Sequence, residues 1–367
     1  MAKTVAVIGG GYGGTLVAEA LDETADVILI DPRDAFVNVA ASLRALTQPS
    51  WASNAFFPYD TLLRHGRHVR ERAVSVDGRG VTLGDGSRIG ADYIVLATGS
   101  SYSYPARPHL IHASVSEALD DLRATHDELE KAASVLILGA GPVGLELSGE
   151  IRNVWPDKRV TIVDRSAEVL PGYLQEVREE LHHQLEARRI DLRLNTSVPE
   201  LPPTPEGTFG RFTVTTAAGD KINADIWFRS FGSRVNTDYL ADGALTTLSA
   251  RNTVPVTAEL NVVGYKNVYA LGDIADLTDP KMATWAQTQA AVVVENIRAQ
   301  LDGRPQDAQY APTTSLRIFL PLGPAAGVGQ LPTPEGSVAP APLHVVIDRK
   351  GRDLFTSRFA ERFHQAG

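Results

Sequence analysis

The stretch TVAVIGGGYGG at residues 4–14 recurs in plan as SVLILGAGPVG at residues 134–144. Each is a short β-branched run that ends in G-x-G-x-x-G, with Gly9, Gly11 and Gly14 in the first copy and Gly139, Gly141 and Gly144 in the second. Each leads into a helix-forming stretch and then a second apolar run closing on an acid, DVILID on Asp31 and RVTIVD on Asp164. The spacing from first glycine to acid is close to the roughly 20 residues of the dinucleotide fingerprint. In that pattern the first glycine makes a tight turn, the second lets backbone approach a pyrophosphate, and the third allows close helix–strand packing. The helix start supplies free N–H groups and positive potential, and the acid accepts a ribose hydroxyl. A single G-x-G-x-x-G only marks a tight turn. Two copies with strand, helix and acid in order predict two βαβ units, holding either two dinucleotides or one beside a dead site.

Further markers fall at matching places. DYIVLATGS (92–100) reads as a buried strand ending in Thr98-Gly99, small enough for the chain to cross a bound cofactor closely. DIWFRSFGS (225–233) is a looser copy ending at Gly232, and NVYALGDIAD (267–276) is a strand ending in Gly272-Asp273. A helical pattern then runs from about Met282 to Leu301.

Composition narrows the chemistry. A chain of 367 residues can hold two or three domains, and its net charge of -9 argues against nucleic acid as a partner. It has no cysteine, which excludes disulfides, thiolate metal sites, iron–sulfur clusters and dithiol relays, and is compatible with a reducing compartment. Its nine histidines show no metal-ligand spacing, so no metal is expected. The N-terminal residues enter a strand at once, leaving no room for a cleavable leader, and Ala2 stands where myristoylation needs glycine. No apolar run reaches the length of a spanning helix. The expected location is cytoplasmic, or peripheral at the inner face of a membrane.

Together these stretches resemble the two-dinucleotide FAD/NAD(P)H pyridine nucleotide oxidoreductases. That resemblance implies an α/β fold of two Rossmann-like domains, the NAD domain inserted in the FAD domain. The FAD domain would span residues 1–107 and 254–303, the NAD(P)H domain 108–253, and a short C-terminal segment 304–367. It implies that Gly9, Gly11, Gly14 and Asp31 hold the ADP half of FAD, that Asp273 binds its ribityl chain, and that Gly139, Gly141 and Gly144 receive the nicotinamide dinucleotide. The cysteine pair of the disulfide reductases is missing from AFVNVAASLRALTQPS. DPRDAFVNVAASLRAL, PKMATWAQTQAA, GVGQL and KGRDLF are instead similar to the type II NADH dehydrogenases and the apoptosis-inducing-factor-like group. These pass electrons from NAD(P)H through flavin to a quinone.

By that similarity Lys281 and Met282 lie near the flavin ring, at the start of a helix whose N-terminus would favour an anionic reduced flavin. Gln287 would line the acceptor slot. The second glutamine of the type II pattern is missing, because Ala291 stands there and Gln289 lies two residues after Gln287. Glu146 would face the nicotinamide, and Arg44 would approach the flavin or be an ordinary surface arginine. Asp164 favours NADH, because a carboxylate repels a 2′-phosphate; Arg165 beside it leaves NADPH open. No general base is marked, in keeping with hydride transfer, which needs alignment above all. The implied activity is an FAD-dependent NAD(P)H oxidoreductase with a quinone-type acceptor. Reduction of a small iron–sulfur protein, or slow NADH sensing, are alternatives.

The chain closes on a basic stretch with Phe355, Phe359 and Phe363 at i, i+4, i+8, and five basic residues against Asp353 and Glu361. A helix with one phenylalanine face follows. Three roles stay open for it: a packed terminal helix, a homodimer contact, or an interfacial helix on anionic lipid. Lys350, by similarity, would reach the active site.

Overall fold

In the computed structural model of the chain, which describes residues 2–109 and 113–364, two parallel sheets share one plan. In the first, the strand Thr4–Ile8 lies between Asp26–Ile30 and Tyr93–Leu96, with Arg67–Val69 and Val268–Ala270 on the outer edges. In the second, Ser134–Leu138 lies between Arg159–Val163 and Ile226–Arg229, with Ile190–Arg193 beyond. The central strands are buried on both faces, as parallel strands between helix layers must be, while the edge strands Arg67–Val69 and Ile190–Arg193 are partly exposed. Val5 and Val7 join one apolar cluster while Ala6 and Ile8 join another, the period of two expected of a strand. The strands of the second sheet lie in sequence between Tyr93–Leu96 and Val268–Ala270, which are neighbours in the first.

Among the described residues, eight α-helices complete the frame. After each glycine turn runs the helix of its βαβ unit: α1 (Tyr12–Leu21) in the first, and α4 (Pro142–Val154), with Pro142 at its first position, in the second. Between them come the short α2 (Ser42–Thr47) and the acidic α3 (Val115–Lys131). Ser114 and Glu117 close a capping box at the start of α3. Then follow α5 (Gln175–Ala187) and α6 (Ala283–Leu301), the latter packed on α1.

The C-terminal stretch is more than a short segment. Ile318–Pro321, Gly327–Pro332 and Val338–Pro340 form an antiparallel sheet, followed by α7 (Leu343–Val346), a π-helical stretch Ile347–Gly351 and α8 (Thr356–Arg362). The expected phenylalanine helix is therefore shorter than its pattern. Leu354 and Phe355 both take positive φ, 53° and 66°, which breaks the helix and sets Phe355 apart from Phe359 and Phe363. Phe359 and Phe363 are 2% and 0% exposed, against Phe36 and Phe57. Each such ring is worth about 1.5–3 kcal/mol when buried. These two rings are core and have no free face for lipid or for a second copy, whereas Phe355 is only half-buried. No helix among the described residues is long and apolar enough to cross a membrane.

Candidate active site

The two glycine turns are copies at the level of atoms. Gly9 and Gly139 take φ of 102° and 114°. A Cβ on Gly14 would fall 1.9 Å from the Gly9 carbonyl oxygen, and one on Gly144 would fall 2.0 Å from that of Gly139. Only glycine allows each helix to sit so close to its own turn. At Gly11 and Gly141, the residues preceding each helix, a Cβ would meet nothing within 4 Å, which leaves open space where a pyrophosphate would lie. The acids also correspond. Asp31 accepts from the Gly10 N–H at 2.7 Å and the Arg33 N–H at 2.9 Å; Asp164 accepts from the Ala140 N–H at 2.6 Å and the Ser166 N–H at 2.7 Å. These bonds fix each carboxylate and leave lone pairs for ribose hydroxyls.

From the first turn opens a cleft of about 1600 Å³, larger than the roughly 300–1,000 Å³ of an ordinary ligand pocket and ample in volume for a dinucleotide. Gly9, Gly11, Asp31, Thr98, Gly99, Gly272 and Asp273 line it. Ser100 donates to the Asp273 carboxylate. Arg107 lies in the same wall, over the Tyr102 ring at 5.3 Å, and its Nε is buried without a hydrogen-bond partner. Burial holds its guanidinium below the usual arginine range, with Asp273 opposing. An orphaned cationic donor beside an open glycine turn fits an anionic dinucleotide such as FAD. Nothing in the sequence around Arg107 marks it.

The far part of the cleft gathers residues remote in sequence. Glu146, on the first turns of α4, receives the Lys350 ammonium at 2.7 Å, and Lys350 also donates to the Phe319 carbonyl at 3.3 Å. Burial pushes the Glu146 carboxyl above the usual carboxylate range, and Lys350 pulls against that shift. Lys281, Met282 and Gln287, at the start of α6, lie on the same cleft. Gln289 does not: it is 2% exposed and its side-chain oxygen accepts the Gly272 N–H at 2.7 Å, bracing the turn from behind. Gly14, Gly139, Gly141, Gly144, Asp164 and Gly232 lie outside the cleft lining, but α4 bridges the two places: it starts at the second turn and brings Pro142, Val143 and Glu146 to the cleft wall.

Arg44 is placed elsewhere. It is 3% exposed and ion-paired to Glu150, one turn beyond Glu146 on α4, at 2.7 Å. Its other donors reach the carbonyls of Gly351 and Arg352, each at 2.8 Å. Arg44 is therefore not an ordinary surface arginine: it is a buried clamp joining α2, α4 and the C-terminal stretch, and it is not among the residues that line the cleft. Phe355 lines the cleft because its turn is held from behind. Tyr12 donates to Asn38 at 2.9 Å, and Asn38 donates to the Leu354 carbonyl at 2.7 Å.

A family model described as pyridine nucleotide-disulphide oxidoreductase matches residues 3–293. The chain is 31% identical over 365 residues to ferroptosis suppressor protein 1 of Taeniopygia guttata, covering 96% of this chain and 94% of that one. It is 28% identical to apoptosis-inducing factor homolog A of Dictyostelium discoideum, covering 90% and 85%. Its fold is similar to that of NDH2 from Plasmodium falciparum in complex with NADH (TM-score 0.73, 12% identity, 100% of this chain and 98% of that one). It is similar also to the sulfide:quinone oxidoreductase of Aquifex aeolicus (TM-score 0.74, 18% identity, 99% and 91%).

Proposed function

The chain belongs to the pyridine nucleotide-disulphide oxidoreductase family, and from that premise we propose that it oxidises NADH and passes the two electrons to a small quinone-type acceptor. The family works with FAD and NAD(P)H. The balanced reaction is NADH + H⁺ + quinone → NAD⁺ + hydroquinone. Bound FAD supplies an acceptor for hydride and a donor of two electrons, which no amino-acid side chain of this chain can replace.

The observation that carries this reading is α4. It begins at the second glycine turn and ends its first turns at Glu146 in the cleft that opens from the first turn. A dinucleotide on the second turn can therefore reach the cleft along α4, and the Glu146–Lys350 pair stands where the two sites meet. We assign residues 1–107 and 254–303 to FAD, 108–253 to NAD(P)H, and 304–367 to the acceptor side. The residues proposed to hold FAD are Gly9, Gly11, Asp31, Asp273 and Arg107. Gly141 and Asp164 would hold the nicotinamide dinucleotide, with Gly144 setting the helix against its turn. Lys281, Met282, Gln287 and Lys350 would face the acceptor. With no cysteine in the chain, electrons have no dithiol to pass through.

Steady-state turnover tests the reading. With the FAD-loaded protein, kcat/KM for NADH is expected to exceed that for NADPH by about tenfold or more, because Asp164 would lie against a 2′-phosphate. Oxidation of NADH should be fast with 2-methyl-1,4-naphthoquinone and slow with an iron–sulfur protein or dioxygen alone. Fast turnover with the iron–sulfur protein only would replace the acceptor in this reading, and slow turnover with all three would point to a sensor.

A further inference from the structure

The acceptor side of the cleft carries more positive charge than transfer to a neutral quinone calls for. Lys281, Arg317, Arg349 and Arg358 all line it, and none of the four forms an ion pair with a described residue. The other cation there, Lys350, is neutralised by Glu146. In a chain of net charge -9, four cations of one cleft without an ion-pair partner among the described residues are a local excess of positive charge. Arg317 links two of the segments that carry them. Arg317 precedes the strand Ile318–Pro321, whose Phe319 carbonyl accepts from Lys350, and it donates to the Thr284 hydroxyl at 2.9 Å, three residues after Lys281.

Arg317 is the most constrained of them. Its guanidinium lies 4.6 Å from the centroid of the Trp285 ring, and the bond to Thr284 sets its rotation. The indole N–H of Trp285 is buried and finds no acceptor among the described residues, so the ring serves as a seat. A guanidinium held by stacking and one hydrogen bond keeps further N–H donors in a fixed fork suited to a planar oxyanion. Arg317 is half-buried within the cleft wall, so the ligand must enter to meet it. Phe319, Phe355 and Met282 supply apolar surface on the same cleft.

We infer that Arg317, seated on Trp285 and supported by Lys281, Arg349 and Arg358, binds the carboxylate or sulfonate of a small aromatic acceptor, making this an oxidoreductase selective for anionic quinones. This rests on the quinone reading above. A lipid surface or an acidic protein carries the same sign of charge, but either would meet the exposed Lys281, Arg349 and Arg358 before the half-buried Arg317.

Two measurements on the FAD-loaded protein test it. In the first, naphthalene-2-sulfonate, which accepts no electrons, is titrated calorimetrically beside neutral 2-naphthol. The sulfonate is expected to bind, with its Kd raised about tenfold or more in Arg317→Gln and partly recovered in Arg317→Lys, while 2-naphthol discriminates little between variants. In the second, kcat/KM is compared for 1,4-naphthoquinone-2-sulfonate and 2-methyl-1,4-naphthoquinone. Their ratio should fall at least tenfold in Arg317→Gln. The anaerobic rate of flavin reduction by NADH, read alongside, exposes a variant that merely folds badly. Equal losses on both acceptors, or sulfonate binding indifferent to Arg317, would overturn the inference. So would a requirement for Arg317 only in binding phosphatidylglycerol vesicles or an acidic iron–sulfur protein. If neither quinone reoxidises the reduced wild type, the quinone reading fails, whereas the sulfonate titration still decides the role of Arg317.

Discussion

Gly144→Ala is expected to leave FAD bound and to cut kcat/KM for NADH by at least about 100-fold, the scale associated with a misplacement of roughly 1 Å. Gly14→Ala is expected to yield a chain that no longer retains FAD. Helix propensity alone gives the opposite sign, because alanine in a helix is favoured over glycine by roughly 0.5–1 kcal/mol. The geometry overrides it. The added Cβ would stand 2.0 Å from the Gly139 carbonyl oxygen in one variant and 1.9 Å from that of Gly9 in the other. Either α4 or α1 must move off its turn, and the N–H groups at the helix start move with it. The paired variants also assign the sites. Flavin lost from Gly144→Ala and kept by Gly14→Ala would reverse the order of the two dinucleotides. Flavin content by absorbance and anaerobic reduction by NADH are the readouts.

The second large effect concerns Arg44, which is not itself a residue of the cleft lining. Arg44→Met is expected to destabilise the protein by about 3–5 kcal/mol, the range for leaving one partner of a buried ion pair uncompensated. Glu150 would be left as a carboxylate 3% exposed, and the carbonyls of Gly351 and Arg352 would lose their donors. The thermal midpoint should fall by roughly 4–6 °C, since a 367-residue chain shifts by little more than about 1 °C per kcal/mol. The double variant Arg44→Met/Glu150→Leu should recover most of that loss, since an apolar pair of similar volume replaces a buried ion pair at little cost. If the single variant unfolds where the wild type does, Arg44 is not a clamp. Because Lys350 neighbours Gly351, the single variant should also loosen the Lys350–Glu146 pair, and a rise in KM for the acceptor would report it.

Much of the fold was legible because it is written locally and twice. The βαβ units declare themselves through β-branched runs, glycine turns and terminal acids, and the start of α6 through Pro280 and a long helix-forming run. What could not be read depends on tertiary partners. The antiparallel sheet of Ile318–Pro321, Gly327–Pro332 and Val338–Pro340 is built from short runs broken by glycine and proline, whose only signal is each other. The phenylalanine stripe gave the right period and missed the break, because Leu354 and Phe355 adopt positive φ without a glycine to announce it. Arg44 looked like a flavin contact or a surface residue since its true partner, Glu150, lies 106 residues away. Arg107 and Arg317 carry no local motif at all. Their roles arise from an unpaired buried Nε in one case and a seat on Trp285 in the other.

Electrons taken from NADH are expected to leave through the cleft to a quinone with no thiol between. An anaerobic double-mixing experiment tests it most directly: the FAD-loaded protein is reduced with one equivalent of NADH and then mixed with 2-methyl-1,4-naphthoquinone. The expected result is return of the oxidised flavin spectrum in a single phase, at least as fast as steady-state turnover, with one hydroquinone formed per NADH. A reduced flavin that outlasts many turnover times in the presence of quinone, and reoxidises only with an iron–sulfur protein or dioxygen, would contradict it.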